Sequence, residues 1–172
     1  MSLTESLLME FDQEARTTRR LLERVPENRL TWKPHPKSMS IGTLALHCAM
    51  SPGYIAAWAL QDKVEMSGNP GGRPEPKSVA EVLTAHDESV QKTKDALASI
   101  GDAGMTSDWK MTTKDGATVM GMPKAALIRG IVLNHLYHHR GQLSVYLRLL
   151  DVPVPSIYGP SADENPFAAA RS

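Results

Sequence analysis

The chain has 172 residues, of which 41% are hydrophobic and 22% charged. That is the size and make-up of one globular domain, and it excludes a disordered chain. Nineteen Lys and Arg balance nineteen Asp and Glu, so no general field gathers phosphates, which argues against a dedicated nucleic-acid binder. Cys48 is the single cysteine, so there is neither an intramolecular disulfide nor a CxxC metal or redox site, and the reducing cytoplasm is the expected setting.

Met1-Ser2-Leu3-Thr4-Glu5 lacks a basic region followed by an apolar block, so no signal peptide is expected. The first helix is predicted from Leu3 to Val25. Ser2 and Glu5 have capping-box spacing, Leu7, Phe11, Ala15, Thr18 and Leu22 form one apolar stripe, and Pro26 stops the helix. Trp32-Lys33-Pro34-His35-Pro36 reads as loop, because proline drives its predecessor to extended backbone. A second helix follows Ser40 and covers Ile41 to Leu60, which contains no charged residue. Its length would span a bilayer, but His47 and Pro52 interrupt the apolar run, so a helix buried in a protein core fits better and no membrane association is expected. Pro52 is expected to kink it. Residues 67–76 read as a long mobile loop.

The third helix starts at Ser78, with Glu81 in capping-box position, and ends near Ile100 before Gly101. Residues 102–122 hold a short hairpin turning at Asp115-Gly116. Pro123 opens a fourth helix that runs to about Leu150. The fold class is therefore all-α, a four-helix bundle with a short hairpin before the last helix. Residues 1–160 form the bundle domain and 161–172 a C-terminal tail.

Chemistry concentrates in six histidines. His135 and His139 are four apart, on one face of their helix. At 100° per residue, Ile128, Ile131, Gln142, Tyr146 and Leu149 fall within about 40° of His135, so both imidazoles belong to the inward stripe. Two readings fit: core histidines bonded to neighbours, or ligands of one metal. His47 lies on a face of the second helix with Leu44, Met50, Tyr54 and Trp58. Three inward imidazoles are hard to explain by packing, and a three-histidine site leaves coordination positions open, the catalytic pattern. Imidazole ligation suits zinc, nickel, copper or iron.

The remaining residues carry plainer readings. His86, on the stripe of helix three, is a satisfied core histidine, with a fourth ligand or pocket base as the alternative. His138 is placed for a hydrogen bond rather than ligation, and His35 is a surface residue. Cys48 is a buried inert thiol. Arg140 fits a helix–helix ion pair, or an anionic substrate as the second choice.

His135-Leu136-Tyr137-His138-His139-Arg140-Gly141-Gln142-Leu143 resembles the C-terminal signature of the DinB-like (DinB/YfiT) metalloproteins. Ser40-Ile41-Gly42-Thr43-Leu44-Ala45-Leu46-His47 is similar to that family's first-ligand helix, and the Val154 to Pro160 ending matches some members. The resemblance covers residues 3 to 160. It implies a four-helix bundle, often a homodimer, with His47, His135 and His139 holding a divalent metal, zinc or nickel first. It also implies an enzyme acting on a small molecule, of the kind that transfers a low-molecular-weight thiol. Hydrolysis by water activated on the metal is the alternative, and a non-catalytic metal-binding or interaction module a third. Gln142 and Tyr146 would then position ligands or substrate, with Tyr54 and Trp58 walling the pocket.

Overall fold

Serines begin three of the helices. Ser2 and Glu5 exchange side-chain to backbone bonds as a complete capping box at the start of α1 (Leu3–Leu22). Ser40 accepts from the Thr43 amide to open α2 (Ile41–Trp58), and Ser78 accepts from the Glu81 amide to open α3 (Val79–Met105). The fourth rod comprises α4 (Lys124–Leu127), a π-helical turn (Ile128–Leu133) and α5 (Asn134–Leu149), with helical backbone at both junctions. These elements belong to a computed structural model that describes residues 1–66 and 74–168. The expected mobile loop at 67–76 falls mostly outside them.

α1 packs against α3 and α5, and α2 against the same two helices, which makes the predicted four-helix bundle. The α1 stripe is buried at Leu7, Phe11, Ala15, Thr18, Leu21 and Leu22, and the helix stops one turn before the expected Val25. α3 runs past its expected end at Ile100. Gly101 adopts φ +58° and ψ 175°, a break only glycine takes readily, and a short second run reaches Met105. No helix among the described residues is long and apolar enough to cross a membrane.

Pro52 sits inside α2 without ending it. Ser89 of α3 compensates for the disturbed ladder: its Oγ accepts from the Gly53 amide at 2.8 Å and donates to the Met50 carbonyl at 3.3 Å. A Cβ at Gly53 would stand 2.9 Å from the Ser89 backbone, so glycine is what lets the two helices meet there.

The expected hairpin is present as β2 (Asp108–Thr112) and β3 (Thr118–Pro123), antiparallel, with Trp109 opposite Met122. A further strand, β1 (Lys63–Glu65), lies parallel to β2 with Val64 opposite Met111. Three residues are too few for an alternating pattern, so sequence gives no sign of it. Two core clusters fill the interior. One contains Leu21, Leu44, Leu136 and Leu143, the other Phe11, Ile55, Leu97, Trp109 and Leu133. They meet on α2 between Ala49 and Ile55 and on the fourth rod between Leu133 and Leu136, close to His47 and His135.

The tail is tied down as far as it is described. Glu164 pairs with Arg20 and Asp163 with Arg148, and Asp163 also accepts from the Val154 amide at 2.8 Å.

Candidate metal centre

α2 and α5 pack side by side and bring three imidazoles to one point. Nε2 of His135 is 3.3 Å from Nε2 of His47 and 3.1 Å from Nε2 of His139. The ring planes are nearly perpendicular, at 79° for His47 with His135, 86° for His47 with His139 and 81° for His135 with His139. His139 is 8% exposed, while His47 and His135 are half-buried. His139 is therefore the deepest of the three rings, while His47 and His135 keep part of their surface exposed.

The donor set fits a metal ion on two counts. An imidazole nitrogen has one in-plane site, either a lone pair or an N–H. The His135 Nε2 lies within contact of two other ring nitrogens, and one in-plane site cannot make two good hydrogen bonds; a cation receives three lone pairs at once. The spacing also matches. Nitrogens about 2.0–2.1 Å from a tetrahedral ion stand about 3.3–3.4 Å from one another.

Gln142 orients one of these rings. Its Oε1 is 2.8 Å from Nδ1 of His139. An amide oxygen accepts only, so Nδ1 carries the proton and Nε2 turns its lone pair to the centre. The other residues singled out from sequence lie further off. Tyr146 meets Trp32 edge-on at 5.7 Å, at the corner where Ile41 donates to the Trp32 carbonyl. Tyr54 is exposed and leans edge-on against Trp58 at 5.3 Å. Trp58 stacks on Trp109 at 6.4 Å and receives the Trp109 indole N–H on its carbonyl.

His86 is not part of the three-histidine group. It is buried on α3 facing α1, with Nδ1 3.4 Å from Asp87, and burial lowers its pKa below the ordinary value of 6.5 against the opposing pull of Asp87. It lines a groove of about 520 Å³ with Arg16, Arg19 and Asp87. His138 is exposed, with its ring 4.8 Å from that of His139. Burial pushes the Cys48 thiol up to about 12, which keeps it protonated and inert.

Arg140 takes the ion-pair role. It is 1% exposed and pairs with Glu14 of α1, while Nη1 also donates to the Glu14 carbonyl at 3.1 Å and to Thr18 at 3.3 Å. Tyr158 donates to Glu14 at 3.0 Å and accepts from Arg140. The guanidinium lies against the rings of Tyr137 and Tyr158, 5.4 and 5.1 Å from their centroids. Sequence reasoning passed over Glu14 and Tyr158. The signal for Glu14 was a carboxylate next to the stripe residues Phe11, Ala15 and Thr18; Tyr158 lies in the Val154 to Pro160 ending, whose resemblance implied no role for it.

The model of the family described as "DinB family" matches residues 1–166. The uncharacterized protein YrdA of Bacillus subtilis is 22% identical over 160 residues, covering 93% of this chain and 90% of that protein. Among solved structures, a DinB-like protein of Bacillus cereus superposes with a TM-score of 0.71 at 22% identity, over 90% of this chain and 97% of the other. A DinB-like protein of Bacillus subtilis gives 0.65 at 17% identity, over 86% and 96%.

Proposed function

The chain belongs to the DinB family, and from that premise we propose that it is a divalent-metal enzyme that transfers a low-molecular-weight thiol to a small-molecule electrophile. His47, His135 and His139 are its ligands, and zinc or nickel its ion. The observation that carries this reading is the His135 Nε2 in contact with two other ring nitrogens at once.

The ion would lower the pKa of a bound thiol and hold the thiolate in place. The protein's own groups do the rest. Gln142 fixes the tautomer of His139, and the buried side of the site excludes water behind it. His47 and His135 are only partly buried, which favours an open catalytic site over a closed structural ion. In the transfer, a sulfur–carbon bond forms, the leaving group departs with its bonding electrons, and the thiol proton goes to solvent. The neutral net charge and single buried cysteine support a cytoplasmic protein acting on neither nucleic acid nor membrane, and we propose the homodimer as its assembly.

The test is metal content by mass spectrometry on untagged protein purified without chelator, beside His139→Ala. About one divalent ion per chain in the parent and little in the variant is expected, followed by thiol consumption with an alkylating electrophile. A parent that takes up neither zinc nor nickel on reconstitution would overturn the reading.

A further inference from the structure

α2 is buried on every side but one. Its residues with accessible surface are His47, Met50, Tyr54, Ala57 and Trp58; the rest of the helix is closed in by its neighbours. At 100° per residue, Tyr54 and Trp58 lie 20° to either side of His47, with Met50 and Ala57 along one margin. One strip therefore starts at a metal-ligand histidine and runs towards the C-terminus of the helix. It carries no charge, since Ile41 to Leu60 contains none.

The strip is also rigid. Trp58 stacks on Trp109 with 14° between the planes, and the Trp109 indole N–H holds its carbonyl at 3.1 Å. Tyr54 rests edge-on against Trp58 and leaves 60% of its surface open. The seven-residue step from His47 to Tyr54 rises about 10 Å, close to the length of two linked aromatic rings.

We propose that this strip is the substrate's resting surface, and that the electrophile carries a flat, uncharged aromatic group. That group packs on Tyr54 and Trp58 while the reactive atom lies at His47, His135 and His139. The inference rests on the metal reading above. A fixed aromatic pair rewards a third ring beyond the area it covers. A charged substituent would lose hydration against an uncharged strip. The guanidinium one residue beyond His139 offers no compensation, because Arg140 is buried and occupied by Glu14 and Tyr158.

Hydroxamates share one metal-binding head, so they separate the strip from the ion. Calorimetry on the zinc-loaded full chain would compare acetohydroxamate, octanohydroxamate and biphenyl-4-carbohydroxamate. The biphenyl compound should bind at least tenfold tighter than acetohydroxamate and tighter than the octanoyl one. In Tyr54→Ala, an exposed position whose truncation spares the core, that ratio should fall below threefold. Equal affinities, an octanoyl compound as tight as the biphenyl, or a ratio unchanged in Tyr54→Ala would overturn the proposal while leaving the metal centre standing. Retained zinc with no hydroxamate bound would overturn it too, and failure to hold zinc would remove both.

Discussion

Gln142 Oε1 accepts from His139 Nδ1 at 2.8 Å, one turn along α5, and so decides which nitrogen of His139 faces the centre. Gln142→Leu removes that acceptor and leaves the ring free to turn. Zinc affinity should fall about ten- to a hundredfold, the range for losing such a partner. Competition against a chromophoric chelator measures it, with the helical circular dichroism signal as the control for folding. An affinity equal to the parent's would mean that Gln142 does not orient the ligand.

The pair Arg140–Glu14 joins α5 to α1 in a water-poor setting. Removing one partner strands the other, at a cost of about 3–5 kcal/mol, whereas replacing both by apolar residues leaves no buried charge. Glu14→Leu should therefore lower the urea midpoint sharply, and Glu14→Leu with Arg140→Leu should recover most of it. A double variant less stable than the single would refute this.

His86 sets part of the acid limb of stability. Burial holds its folded pKa below the ordinary 6.5. As pH falls below 6.5, the unfolded chain takes up a proton that the folded chain refuses, so stability declines until the folded pKa is passed. His86→Gln should flatten the decline between pH 7 and 5 relative to the parent at equal zinc. Parallel curves for the two proteins would show that His86 titrates alike in both states.

Two glycines should answer alanine in opposite ways. Gly101, at φ +58° and ψ 175°, occupies backbone that other residues avoid, and Gly101→Ala should cost about 1–3 kcal/mol. Gly141 lies exposed in α5 with nothing near an added Cβ, and Gly141→Ala should stabilise by about 0.5–1 kcal/mol. Thermal melts of the two variants decide it.

Local patterns carried much of this molecule into its sequence. The caps at Ser2 and Ser78, the stripe on α1 and the turn at Asp115-Gly116 each depend on neighbours a few residues away, and each is found in place, except that the Glu81 carboxylate takes the Lys77 amide instead of closing its box on Ser78. So is the face shared by His135, His139 and Gln142, because four residues make roughly one helical turn. Contacts between distant segments were not legible. β1 exists only through β2, forty-seven positions later in register. Tyr158 reaches Glu14 across 144 residues, and Ser89 repairs the backbone around Pro52 from another helix. The wheel drawn through Ile128 assumed an even 100° step, which the π-helical turn does not keep.

That turn makes the geometry of the site cheap to alter in heredity. A π-helical turn is an α-helix with one extra residue, and Ile128–Leu133 ends two positions before His135. Loss of a single codon there would return the rod to regular α-helix and rotate one side of it against the other by about 100°. Leu127 and Ile128 are locked in the core upstream, as Leu136 and Leu143 are downstream. One in-frame deletion, with no substitution anywhere, would thus set the histidine pair against the packing that aims it. A lineage could lose the centre in that single event and regain it by the reverse insertion.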